Sequence, residues 1–168
     1  MSNIAILLIF PAMMAFAAAS DLFTMTISNR VSLILVAAFL ALALVTGMSW
    51  QAFGMHIAAG ALVLVVGFGC FAFGWIGGGD AKLAASTALW LGWGHLLEYA
   101  LLSSVLGGLL TLALLNLRGS AIHPQFLMRE GWYLRITDEK TGIPYGIALA
   151  AAGLMIYPSS FWMTVALR

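Results

Sequence analysis

The chain is 168 residues long, 63% hydrophobic and 8% charged, with a formal net charge of +1. Soluble domains carry roughly a quarter charged residues, so this composition excludes an ordinary water-soluble fold and points to lipid as the solvent. Seven Lys and Arg residues scattered along the chain cannot make the concentrated basic face that a nucleic-acid partner requires, and the single Cys70 supports neither a disulfide framework nor a multi-thiolate metal site.

Met1 to Ser20 is apolar without the basic n-region of a cleavable signal, and is read as a retained first span. From Val31 to Gly79 no charge occurs, a stretch of about 49 residues that holds two spans of about 20 with a turn near Gly47 to Gln51. A shorter apolar segment between Lys82 and Glu98 follows, then Tyr99 to Leu117 and, after a polar stretch, Thr141 to Leu167. The expected fold is an all-α integral membrane protein of about six transmembrane helices. It forms a single domain over residues 1–168, with 119–142 as a cytoplasmic loop within it.

Lys and Arg are retained on the cytoplasmic side of a membrane. With the N-terminus outside, the loops after spans one, three and five collect Arg30, Lys82, Arg118, Arg129, Arg135 and Lys140, and only Arg168 is left outside. Trp50, Trp90, Trp93 and Trp162 then fall near the outer interface and Trp75 near the inner one. The polar loop reads as a solvated connector, partly an interfacial helix.

In this topology Asp21 and Asp80 stand at the cytoplasmic ends of spans one and three, at one membrane face. A carboxylate at the edge of the hydrocarbon layer persists where it faces the bundle interior or a watery cavity. Asp80 follows Gly77, Gly78 and Gly79, a run with backbone freedom and no side chains to obstruct a peptide, which fits an unwound helix end lining a cavity. Two neighbouring carboxyls do not both ionise readily, so one keeps its proton while the other activates water. That is the acid and base pair of peptide hydrolysis.

Gly77-Gly78-Gly79-Asp80, with Lys82 and Leu83 after it, resembles the glycine-any-glycine-aspartate signature of the type IV prepilin peptidases, which are related in mechanism to presenilin-like intramembrane proteases. The segment from Asp21 through Ile27, Asn29 and Arg30 is similar to that family's first-aspartate region, and Pro144-Tyr145-Gly146 to the motif opening its last helix. Ser28 stands where the family usually has proline, which loosens that turn. The N-terminal segment with paired cysteines found in the larger bifunctional enzymes has no counterpart here. The resemblance is therefore to the short, peptidase-only enzymes of the tight-adherence (Flp pilus) systems.

It implies a multi-pass protein of a prokaryotic inner membrane, acting at its cytoplasmic side. The activity implied is removal of a prepilin's short basic leader just before the pilin's hydrophobic helix, by Asp21 and Asp80 and with no cofactor. Gly77, Gly78, Gly79, Lys82, Pro144, Tyr145 and Gly146 are the expected substrate-binding residues. The partners implied are the prepilin or pseudopilin helix and the bilayer.

Other chemistries find less support. His56, His95 and His123 lack zinc-ligand spacing, so no metal site is expected. A serine mechanism would require Ser103 or Ser104 with His56, where packing is the simpler role for the serines. Glu98 is expected near the outer face. Lys82 either biases Asp80 or meets substrate, or else is an orienting positive charge. From other classes there remain a small transporter or channel subunit using the aspartates for a cation or protons, though such sites lie nearer mid-bilayer, and an assembly scaffold, which leaves the glycine run unexplained.

Overall fold

A computed structural model of the chain describes residues 2–120, 124 and 127–167; His123 and Arg168 lie outside them. The described residues form eight α-helices and no strand: α1 (Ser2–Thr24), α2 (Asn29–Val45), α3 (Trp50–Ala72), α4 (Gly78–Leu91), α5 (Leu96–Arg118), α6 (Gly131–Thr137), α7 (Tyr145–Ile156) and α8 (Phe161–Ala166). Three segments, Ile4–Thr24, Trp50–Ala72 and Trp93–Arg118, are long and apolar enough to cross a membrane. Asn29–Val45 and Tyr145–Ser159 are apolar but shorter, and α4 has 14 residues.

Local chemistry sets the boundaries. Past the end of α2, Gly47 takes φ +64 while the N–H groups of Gly47 and Met48 return to Leu44 and Ala43, a Schellman ending that only glycine adopts without strain. Gly74 does the same past α3, at φ +73, with Trp75 N–H bonded to Cys70. Ser28 and Ser49 cap α2 and α3, accepting from Arg30 and Ala52 N–H. The turn expected near Gly47 to Gln51 is therefore present. The expected last span is divided: α7 stops at Ile156, a 3₁₀ turn carries Pro158, whose nitrogen has no hydrogen to give, and α8 follows.

Within a bilayer, helices associate through close packing and internal hydrogen bonds rather than expulsion of water. α3 lies closest against α4: a Cβ on Gly67 would stand 3.1 Å from Ala81 Cβ, and one on Gly60 3.0 Å from Leu89 Cβ. α7 sits between α1, α4 and α5, and α2 spans α1 and α4. The core gathers Phe10, Phe39, Trp90, Tyr157 and Trp162, with Phe10 stacked on Tyr157 at 4.5 Å and Trp90 against Trp162 at 5.1 Å.

This corrects one expectation. Trp90 and Trp162 are wholly buried, their indole N–H groups donating to the carbonyls of Leu35 and Trp90, whereas Trp50 and Trp75 are exposed as an interfacial belt requires. An indole can leave the lipid surface when its one donor finds a carbonyl inside. The polar loop also differs from a solvated connector. Tyr133 and Ile136 of α6 pack on Leu114, Arg118 donates to the carbonyls of Ile136 and Gly142, and Arg135 donates to that of Phe23.

Gly67→Leu should destabilise the protein by about 1–3 kcal/mol by forcing α3 off α4, whereas Gly69→Leu, with open space at that position, should change little. Thermal unfolding of the two variants in detergent compares them directly.

Candidate active site

Asp21 lies in the last turn of α1 and is 5% exposed. Its Oδ2 accepts the backbone N–H of Gly146 at 2.7 Å. That N–H belongs to the first turn of α7, where no intrahelical acceptor exists, and Pro144 at the N-cap offers no side chain to fill the role. Asp21 thus supplies from a distant helix the carboxyl oxygen that caps the start of α7. The arrangement demands glycine: a Cβ at 146 would stand 2.7 Å from the Asp21 Oδ2 and 2.6 Å from Ile27 Cδ1.

Asp80 occupies the third position of α4, with its Oδ2 folded back toward Gly77, the N-cap. A Cβ on Gly77 would lie 2.8 Å from the Asp80 Oδ2, and one on Gly79 3.2 Å from Ile27 Cβ. The glycine run therefore serves close approach, and it is not unwound. Gly77 has φ −71 and ψ 145, open to any residue, and Gly78 and Gly79 are helical; the positive φ sits earlier, at Gly74. Asp80 accordingly opens α4 rather than closing the third span.

Ile27 wedges these pieces together. It sits in the turn after α1, where Met25 holds φ 54, and touches both the Gly79 and the Gly146 backbone, so the first turns of α4 and α7 meet over it. α1 and α4 themselves touch through Phe10 and Trp90 and through the Thr87 hydroxyl on Met14 sulfur, and both pack on α7 and α2. The two carboxyls are close enough to interact electrostatically. Asp80 is half-buried and faces a cavity of about 200 Å³ between α4, α5 and α7, walled by Ala84, Ser103, Ser104, Gly107 and Tyr145. Two interacting carboxyls beside a cavity can hold one proton between them, one as acid and the other as base.

The remaining expected site residues divide. Tyr145 is on the cavity wall, its hydroxyl 3.2 Å from that of Thr111. Pro144 is fully buried and shapes the start of α7, and Gly146 acts through Asp21. Lys82 is not brought to the aspartates. Residues two apart on a helix point to different sides, and Lys82 Nζ donates to Asn29 Oδ1 at 2.8 Å across the far face of α4. His56 contacts Leu89 O at 2.7 Å among Phe39, Phe161 and Trp162, while Ser103 and Ser104 bond to Ala100 O, so no serine–histidine pair forms. Glu98 pairs with His95 at 3.1 Å. Among the described residues no three His, Cys, Asp or Glu side chains gather as metal ligands. Sequence reasoning assigned no role to Ile27, although it lies inside the quoted first-aspartate segment, and it weighed Ser103 and Ser104 for packing or a serine mechanism but not as walls of the cavity that Asp80 faces.

Neither the comparison with curated proteins nor that with solved structures finds a match. The model of the type IV leader peptidase family matches residues 8–112, a span that holds both aspartates, Ile27 and the glycine run. It covers more than half of the sequence, and the chain belongs to the type IV leader peptidase family.

Proposed function

We propose that this peptidase removes the short leader of Flp-type prepilins at the cytoplasmic face of a prokaryotic inner membrane, with Asp21 and Asp80 activating water between them. The observation that carries the reading is the junction of α1, α4 and α7, where Asp21 accepts the Gly146 N–H, Asp80 stands in the first turn of α4 open to a cavity, and Ile27 packs against both helix starts. The six-span topology with the N-terminus outside is part of the same proposal. α1 to α5 and the broken α7–α8 unit are then the spans, and the helix ends carrying Arg30, Lys82 and Arg118 face the cytoplasm with α6 and its Arg135.

In this reading one carboxyl, ionised, takes a proton from water as it attacks the scissile carbonyl. The other, protonated, donates a hydrogen bond to the developing oxyanion and then transfers that one proton to the leaving amine as the C–N bond breaks, while the proton taken from water stays on the first carboxyl. Gly77, Gly78 and Gly79 leave the peptide a path to Asp80 unobstructed by side chains, and Tyr145 orients it from the cavity wall. Pro144 and Gly146 contribute by fixing where α7 begins.

Asp21→Asn and Asp80→Asn should each lower cleavage of a co-expressed cognate prepilin by roughly 10²–10⁴-fold, read as the loss of its mobility shift. Both variants should insert and fold, because the amide oxygen of Asn still accepts a backbone N–H. Full processing by either would remove the aspartic mechanism. Gly146→Ala should lower cleavage by about 10²-fold with both carboxylates intact, because the new Cβ displaces Asp21 by a fraction of an ångström to an ångström. Zinc chelators should leave the rate unchanged, and a loss that added zinc restores would expose a metal site.

A further inference from the structure

On the side of α4 away from Asp80 the structure opens a second, larger cavity of about 560 Å³, a groove floored by α4 and walled by α2 and α3. α2 and α4 face it with the helical spacing i, i+3, i+4, i+7, through Asn29, Ser32, Leu33 and Val36 on α2 and through Lys82, Ala85, Ser86 and Leu89 on α4. Both rows run from polar to apolar in the same direction. Asn29 and Lys82 stand at the end of the bundle that carries the aspartates, and Val36 and Leu89 about 10 Å deeper, at 1.5 Å per residue.

We infer that this groove binds one anionic phospholipid, with its phosphate on Lys82 and Asn29 and an acyl chain laid along α2, α3 and α4. Two observations specify that occupant. The cation at the mouth has no acidic residue in the groove lining to pair with; its hydrogen bond goes to the neutral Asn29, and Arg30 is exposed beside it. Deeper in the groove Leu33, Val36, Ile57 and Leu64 remain more than a third exposed, so the groove is open to the bilayer along its side.

The test is native mass spectrometry of the full-length protein in detergent, titrated with phosphatidylglycerol or with phosphatidylcholine of the same acyl chains. The wild type should retain one phosphatidylglycerol at about one-tenth of the concentration needed for phosphatidylcholine. Lys82→Met should bring the two lipids within about twofold of each other, and Lys82→Arg should restore the preference, a pair of exposed substitutions that leaves the core untouched. Ala61→Trp, at an exposed position on the α3 wall, should abolish retention of both. Equal retention of the two lipids by the wild type would overturn the inference and leave only annular lipid. A preference that survives Lys82→Met would overturn it as well. A photo-crosslinker at position 61 that captures a co-expressed prepilin instead of lipid would assign the groove to peptide. Lipid retention is read without cleavage, so these outcomes are independent of which peptide the enzyme cuts.

Discussion

The bond from the Gly146 N–H to the Asp21 carboxylate is the constraint on which the rest of the site depends. A helix entering a bilayer cannot leave its first N–H groups unpaired, since no water is present to take them. α7 begins at a proline that offers no capping side chain, and Asp21 makes good the deficit. The buried carboxylate gains a donor and a favourable dipole in return. One contact therefore satisfies two groups that would each be costly alone, and it locks the end of α1 to the start of α7.

Asp80 stands in the first turn of its own helix, with Oδ2 turned toward Gly77 and part of the carboxyl facing the cavity. Gly77, Gly79 and Gly146 share one feature: a Cβ there would press on a carboxyl or on Ile27, most tightly at 146, where Asp21 and Ile27 both lie within 2.7 Å. Ile27 is the apolar spacer between the first turns of α4, which carries Asp80, and α7, to which Asp21 is bonded. Its turn contains Met25 in the left-handed region, a conformation that L residues with a side chain rarely hold. Strain of that kind persists only where the surroundings fix it, here between the end of α1 and the cap of α2.

α4 separates two environments. One face carries Asp80 to a small cavity bounded by hydroxyls and small side chains, and the other carries Lys82 to a long apolar groove. The opposite charges at positions 80 and 82 are neighbours in sequence yet never meet, because a helix turns by about 200° over two residues. The site keeps a carboxyl near its partner carboxyl with no cation beside it to neutralise either. That separation suits the proton sharing proposed for the pair.

Composition and the sparse placement of charge were enough to identify a helical membrane protein. The intervals between charges located α1, α2, α3 and α5, because in lipid a helix is the only open segment that satisfies its own backbone. The turn at Gly47 was legible from its residues, since glycine past a helix end has a local conformational meaning. Asp21, the glycine run and Pro144-Tyr145-Gly146 were legible as motifs, and the family match spans the first two. What these motifs do to one another was not legible. That Gly146 pairs with Asp21, that Ile27 fills the space between two helix starts, that Trp90 and Trp162 leave the interface for the core, and that Lys82 turns away from Asp80 all depend on which helices become neighbours. Those are pairings across up to 125 residues of sequence, decided by the fit of side chains and unpaired backbone groups in three dimensions, and hydropathy along one dimension carries no record of them.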